Sequence, residues 1–204
     1  SQLDRLIEKS LKEVKNISSV AQLEGIRENT LLEISQLNTL KKNEPIKIGI
    51  VGEVYIAQEF RVNFNIEKLL GNMGVLVDNS VSTVEYILNL LPFTRSWEKE
   101  EAWKLAKPFL KRFVGGEGID TVGSTIRYAQ QGFDGVIHLY PFTCMPEAVA
   151  KSVVAGVGRE YNIPILHLAI DEHAGEAGMI TRVEAFVDVL EMRRQQNVRE
   201  ASCS

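Results

Sequence analysis

The sequence predicts an α/β domain, a doubly wound and mainly parallel sheet of about four strands, preceded by an N-terminal helical arm. Three observations carry this expectation. From residue 46 onward, short β-rich runs alternate with longer amphipathic segments, the pattern of βαβ units. The β-rich runs are apolar almost without interruption, as parallel strands covered on both faces must be. Residues 1–44 instead follow a helical period, with no proline and a single glycine, Gly25.

In the arm, Leu3, Leu6, Ile7, Leu11 and Val14 recur at the 3.6-residue spacing of an amphipathic helix. A second set, Val20, Leu23, Ile26, Leu31, Ile34 and Leu37, continues less strictly, with Ser18 or Ser19 placed to cap it. Pro45, in "KKNEP", stops helical continuation. The arm is thus expected over 1–44, as an interdomain or oligomer contact. The α/β domain is expected over 45–196 and a disordered polar tail over 197–204.

Within the domain the first strand is "IKIGIVG" (46–52), followed by a helix in "FNIEKLLGNMG" that Gly71 or Gly74 ends. "VLVD" (75–78) is the second strand, and helical patterns cover about 81–91 and 97–113. "GGEGID" breaks the pattern before a helix at about 121–131 that ends at Gly132. "DGVIHLY" is the third strand, 146–161 a helix, "IPILHLAI" the fourth strand, and 177–195 the last helix.

Composition removes several classes of function. The chain has 204 residues, 45% hydrophobic and 25% charged, with net charge −4 and no basic stripe interleaved with aromatics. Nucleic acid is therefore not an expected partner. No apolar run reaches the roughly 18 residues of a membrane span, and the opening "SQLDRLIEKS" lacks the layout of a signal peptide. The two cysteines, Cys144 and Cys203, make no zinc or disulfide framework. A cytoplasmic, reducing setting is expected.

In an open parallel sheet, ligands collect beyond the carboxyl ends of the strands, at the topological switch point. Glu53 follows the first strand, Cys144 and Glu147 follow the third, and Asp171, Glu172 and His173 follow the fourth, with Arg182 in the next segment. Cys144 precedes Pro146, which is well placed as the first residue of its helix. The mouth of a helix favours thiolate over thiol, the form that both metal ligation and nucleophilic attack require. The competing reading makes Cys144 a small buried hydrophobe. His138 and His167 lie inside strands and read as hydrogen-bonded core or face residues, whereas His173 lies in a loop. Asp171 and Glu172 equally suit capping of the following turn. A Cys144–His173 pair would define a thiol enzyme.

Two motifs are discounted. "GIDTVGST" (118–125) is similar to the phosphate loop of actin-like ATPases, but it carries an extra residue and leads into a helical pattern. "GGEGID" follows a helix and lacks the strand-to-helix context of a dinucleotide fingerprint. No Walker loop is present, so nucleotide binding has no support.

"DGVIHLYPFTCMPEAVAKSVV", "IPILHLAIDEHAGEAGMITRVEAFVD" and "IGIVGEVYI" together resemble the C-terminal domain of the 2-hydroxyglutaryl-CoA dehydratase D-component-like family, in its CoA-substrate-specific enzyme activase-related branch. The resemblance covers about residues 46–193. It implies a flavodoxin-like or Rossmann-like domain paired with a cysteine-bearing N-terminal domain or sister subunit. It also implies an iron–sulfur cluster held between the two in the full-length protein, with Cys144 as a ligand, and a role in anaerobic metabolism. Low-potential electrons would come from an actin-like ATPase activator, and an acyl-CoA thioester is the implied substrate. By their shared placement at the strand ends, Glu53, Glu147, Asp171 and His173 are the acid–base candidates, and Arg182 is the candidate for neutralising cluster or substrate charge.

The chain itself carries neither the second cysteine motif nor the ATPase module, and no basic cluster for the phosphates of CoA. As a domain fragment it is expected to be cluster-free and inactive. The alternative from a different class is a non-catalytic ligand-binding or regulatory α/β module, with Cys144 as a packing residue. The apolar positions of the arm suggest a homo-oligomer.

Overall fold

A computed structural model describes residues 2–37, 44–90 and 97–202. They belong to two compact units, Ser1–Asn43 and Glu44–Ser204.

The first unit pairs α1 (Gln2–Val14) with α2 (Val20–Ser35). Ser19 is the N-cap of α2, its side chain accepting the Gln22 N–H, so of the two expected capping serines it is the second that serves. The Ser10 and Thr30 hydroxyls meet at 2.9 Å, and Lys9 pairs with Glu33 at 2.6 Å. That ion pair is exposed and contributes little. Leu6 is buried, while Leu3, Ile7, Leu11, Leu31 and Leu32 remain exposed.

The second unit is built on four parallel strands in the order β2-β1-β3-β4: β1 (Lys47–Gly52), β2 (Leu76–Asn79), β3 (Gly135–Pro141) and β4 (Ile165–Ile170). This is the flavodoxin-like order, and the chain reverses its direction of travel across the sheet between β1 and β3. Between the strands run α3 (Val54–Gln58), α4 (Ile66–Asn72), α5 (Thr83–Leu90), α6 (Trp97–Ala106), α7 (Gly118–Gln130) and α8 (Met145–Glu160); α9 (Glu176–Ser202) follows β4.

Strand alternation sorts the core into two layers. Ile48 and Ile50, Ile137 and Leu139, and Leu168 and Ile170 pack against Ile66 and Leu70 of α4 and Met179, Val183, Val187 and Leu190 of α9. On the other face Val51 and Val136 meet Tyr128 of α7. Beside them, α6, α7 and α8 join through Ala106, Val122, Ile126, Ala150 and Val154. Arg194 fastens α9 to the start of the domain, reaching Asp134 at 2.6 Å and the Glu44 carbonyl at 2.6 Å.

Several boundaries differ from expectation. α3 had no counterpart in the sequence reading, since five residues are too few for a periodic pattern. α6 stops at Ala106 rather than near residue 113, because Pro108 removes an N–H and drives the residue before it out of the α region. α7 starts at Gly118, so "GIDTVGST" lies in helix and not in a phosphate loop. α9 continues to Ser202 through the segment expected to be a disordered tail. Residues 196–202 contain no Gly or Pro that would end it. Cys203 lies outside the described residues. No helix among the described residues is long and apolar enough to cross a membrane.

Candidate functional site at the sheet edge

The crevice follows from the crossover. β1 and β3 pair up to Gly52 and Leu139, and the Glu53 N–H then donates to the Leu139 carbonyl at 3.0 Å. Gly52 has φ +133°, and a Cβ there would overlap the Leu139 carbonyl. A side chain at this position would prise the two strand ends apart.

Beyond β3 the chain turns tightly, the Cys144 N–H donating to the Pro141 carbonyl at 3.0 Å. Cys144 is the N-cap residue of α8; Met145 is its first helical residue and Pro146 the second, one place later than expected. Either place suits proline, because the first N–H groups of a helix lack intrahelical acceptors. The Cys144 thiol is half-buried and makes no capping hydrogen bond. Its pKa is raised, against the thiolate expectation. Burial is the main cause. The Glu147 N–H works in the opposite direction, while the charges of Glu147, Glu53 and Glu117 push the pKa further up. A helix mouth favours an anion, but here three carboxylates share the neighbourhood.

The other candidates separate. Glu53 caps α3, accepting from the Tyr55 and Ile56 N–H groups at 3.1 and 2.9 Å. Asp171 accepts the His173 N–H at 2.9 Å, the turn-capping role foreseen for it. His173 faces solvent beside Glu172, at 3.6 Å, and forms no hydrogen bond with Cys144, so the thiol-enzyme pairing is not assembled. Arg182 donates to the His167 carbonyl at 2.6 Å, tying α9 to β4. Glu147 is enclosed under α8, within hydrogen-bond reach of His138 Nε2 at 2.8 Å and accepting from Thr121 at 3.0 Å. The Nδ1 atoms of His138 and His167 are 3.0 Å apart. The His167 pKa is pushed down to about 4 by burial and by His138 and Lys151, so His167 is neutral near pH 7. A row of hydrogen bonds thus runs from His167 through His138 to Glu147, its direction set by the tautomers of the two rings.

A second feature was missed. A cavity of about 360 Å³ opens beyond the ends of β1 and β2, walled by Ser80, Lys99, Glu117, Asp120, Ser124 and Arg127 among others. Asp120 holds Lys99 at 3.3 Å and accepts the Trp103 indole N–H at 2.8 Å. Burial raises the pKa of Glu117 and Asp120 despite Lys99. The sequence offers candidates after the first, third and fourth strands and none after the second. It also leaves α7 without a functional role. The spacing of Asp120, Ser124 and Arg127 on a helix that starts beside the sheet edge was the available signal.

Among the described residues no group of three or more His, Cys, Asp and Glu side chains is disposed to hold a metal ion. With two cysteines in the chain, a four-thiolate cluster site cannot be completed from within it. Cys144 alone does not make a resident cluster site. Compared with models of known families and with curated proteins, the chain matches none.

Proposed function

We propose that this domain supplies part of a redox site completed by another domain or subunit. Cys144 contributes one thiolate to an iron–sulfur cluster, serving ATP-dependent, low-potential electron transfer in a 2-hydroxyacyl-CoA dehydratase-like system of the activase-related branch. The observation that supports this reading most is placement. Cys144 sits at the switch point of the sheet, half-open, on a loop between β3 and α8. Around the same edge Tyr55, Phe142 and Met145 are 61%, 69% and 73% exposed, apolar surface suited to a covering domain. The bound cluster would supply one-electron chemistry. Glu53 and Glu117 act on it through charge, since negative surroundings disfavour an added electron and lower the potential. Burial, with these charges added, raises the pKa of the free thiol, so metal binding displaces a proton.

The test is iron and acid-labile sulfide per chain after anaerobic purification of the full-length protein from its native host, as wild type and as Cys144→Ser. Iron and sulfide that fall together in the variant support the assignment. Equal contents in both proteins, or none in either, overturn it and leave the ligand-binding module as the reading.

A further inference from the structure

We propose that the cavity beyond β1 and β2 is a binding site for a small metabolite bearing an oxyanion group, a carboxylate or a phosphate, with Arg127 as its anchor and Ser124 as a second donor. The proposal does not depend on the cluster assignment.

Arg127 carries it. Its side chain lines the cavity, and its Nε is buried without a hydrogen-bond partner. The residue as a whole is part-buried, and a shielded N–H with no acceptor is a standing cost to the fold. The nearest compensation is the Tyr128 ring, whose centroid lies 5.7 Å from the guanidinium carbon. A cation over a ring face uses the π surface and leaves the N–H edge of the guanidinium available. That edge is the geometry that receives a carboxylate or phosphate in two parallel hydrogen bonds. Asp78, the carboxylate on the same wall, is instead engaged by the Tyr128 hydroxyl at 2.8 Å.

Ser124 is the second observation. It is 6% exposed, lines the same cavity, and sits one helical turn before Arg127 on α7, so both face the same way. Toward the N-terminal end of α7, about 15 Å and about 10 Å from Arg127 at 1.5 Å rise per residue, Glu117 and Asp120 line the cavity together with Lys99. Lys99 is already held by Asp120, so an anion is received at the Arg127 end. The cavity volume of about 360 Å³ falls in the range of small-molecule sites.

The test uses the full chain, labelled with ¹⁵N, and follows the arginine Nε–H resonances. Arg127 is assigned through bonds and by the signal missing from Arg127→Lys. Inorganic phosphate and succinate are titrated separately at constant ionic strength, with chloride as the control. A saturable shift of the Arg127 signal is expected with at least one probe, at a Kd tighter than about 10 mM, and Ser124→Ala should weaken it roughly three- to tenfold. Response to phosphate alone identifies a phosphorylated ligand, and response to succinate alone a carboxylate. No saturable shift with either probe overturns the proposal, as does a shift that chloride reproduces.

Discussion

His138 Nε2 and Glu147 Oε2 lie 2.8 Å apart with both side chains wholly shielded from solvent, and this pair joins β3 to the first turn of α8. Thr121 of α7 donates to the same carboxylate oxygen, so Glu147 binds three elements together. Glu147→Ala would leave His138 and Thr121 without their shared acceptor. Each buried group left without its partner costs about 1–3 kcal/mol. Glu147→Gln keeps an acceptor oxygen and should cost about 1 kcal/mol. Urea unfolding of the two variants separates them, and equal losses would show that the carboxylate is not the common acceptor.

The neighbouring His167 gives the fold a pH dependence of predictable sign. Its pKa is held at about 4 in the folded chain, against an ordinary value of 6.5. Between those values the unfolded chain binds a proton that the folded chain refuses. Stability is therefore lost as pH falls from about 6.5 and is regained as it rises. The groups acting on His167 are His138 on β3 and Lys151 on α8, with Glu147 behind His138. Glu117 and Asp120, whose folded pKa values are raised, give the opposite slope, but they are common to wild type and variant. Thermal melts from pH 4 to 7 should show a shallower acid-side fall for His167→Gln. An unchanged slope would remove His167 as its source.

The layered α/β order was legible because strand burial is written as apolar runs, and the strand-end location of Cys144 followed from it. What stayed illegible depended on contacts distant in sequence. Glu53 is expected at the same strand edge as Cys144, but nothing near either announces that Glu117 arrives from the start of α7. The local helix-mouth argument pointed toward a thiolate and was outweighed. His138 and His167 read correctly as hydrogen-bonded strand residues. Glu147 read as a crevice residue because its position in the first turn of α8 does not reveal which way the helix faces. Arg127 escaped notice because a lone arginine on a helix normally lies on a solvated face.

The altered thiol should be visible chemically. In a Cys203→Ser background, alkylation of Cys144 by iodoacetamide reports its thiolate fraction. Burial and the surrounding carboxylates hold the pKa above its ordinary value of 9.0, so the rate should still be climbing beyond pH 9. Glu117→Gln removes one negative charge and should move the curve toward lower pH. A wild-type midpoint below pH 8 would restore the activated-thiolate reading and discard the electrostatic one.

The cavity wall depends on how closely α6 approaches α7. Gly123 is buried on α7, and a Cβ there would overlap the Ala102 backbone of α6. Because the obstacle is main chain, no rotamer change relieves it; either α6 moves outward or the helices separate. Ala102 is only 2% exposed and lines the cavity together with Lys99, so any such movement also displaces the Lys99–Asp120 pair. Gly123→Ala should gain helix propensity of about 1 kcal/mol and lose about 1–3 kcal/mol to overpacking, a net destabilisation confined largely to α6. Hydrogen exchange should accelerate in residues 99–106 while amides of β1 and β3 stay protected. Unchanged exchange throughout α6 would mean that the two helices are not held at this contact.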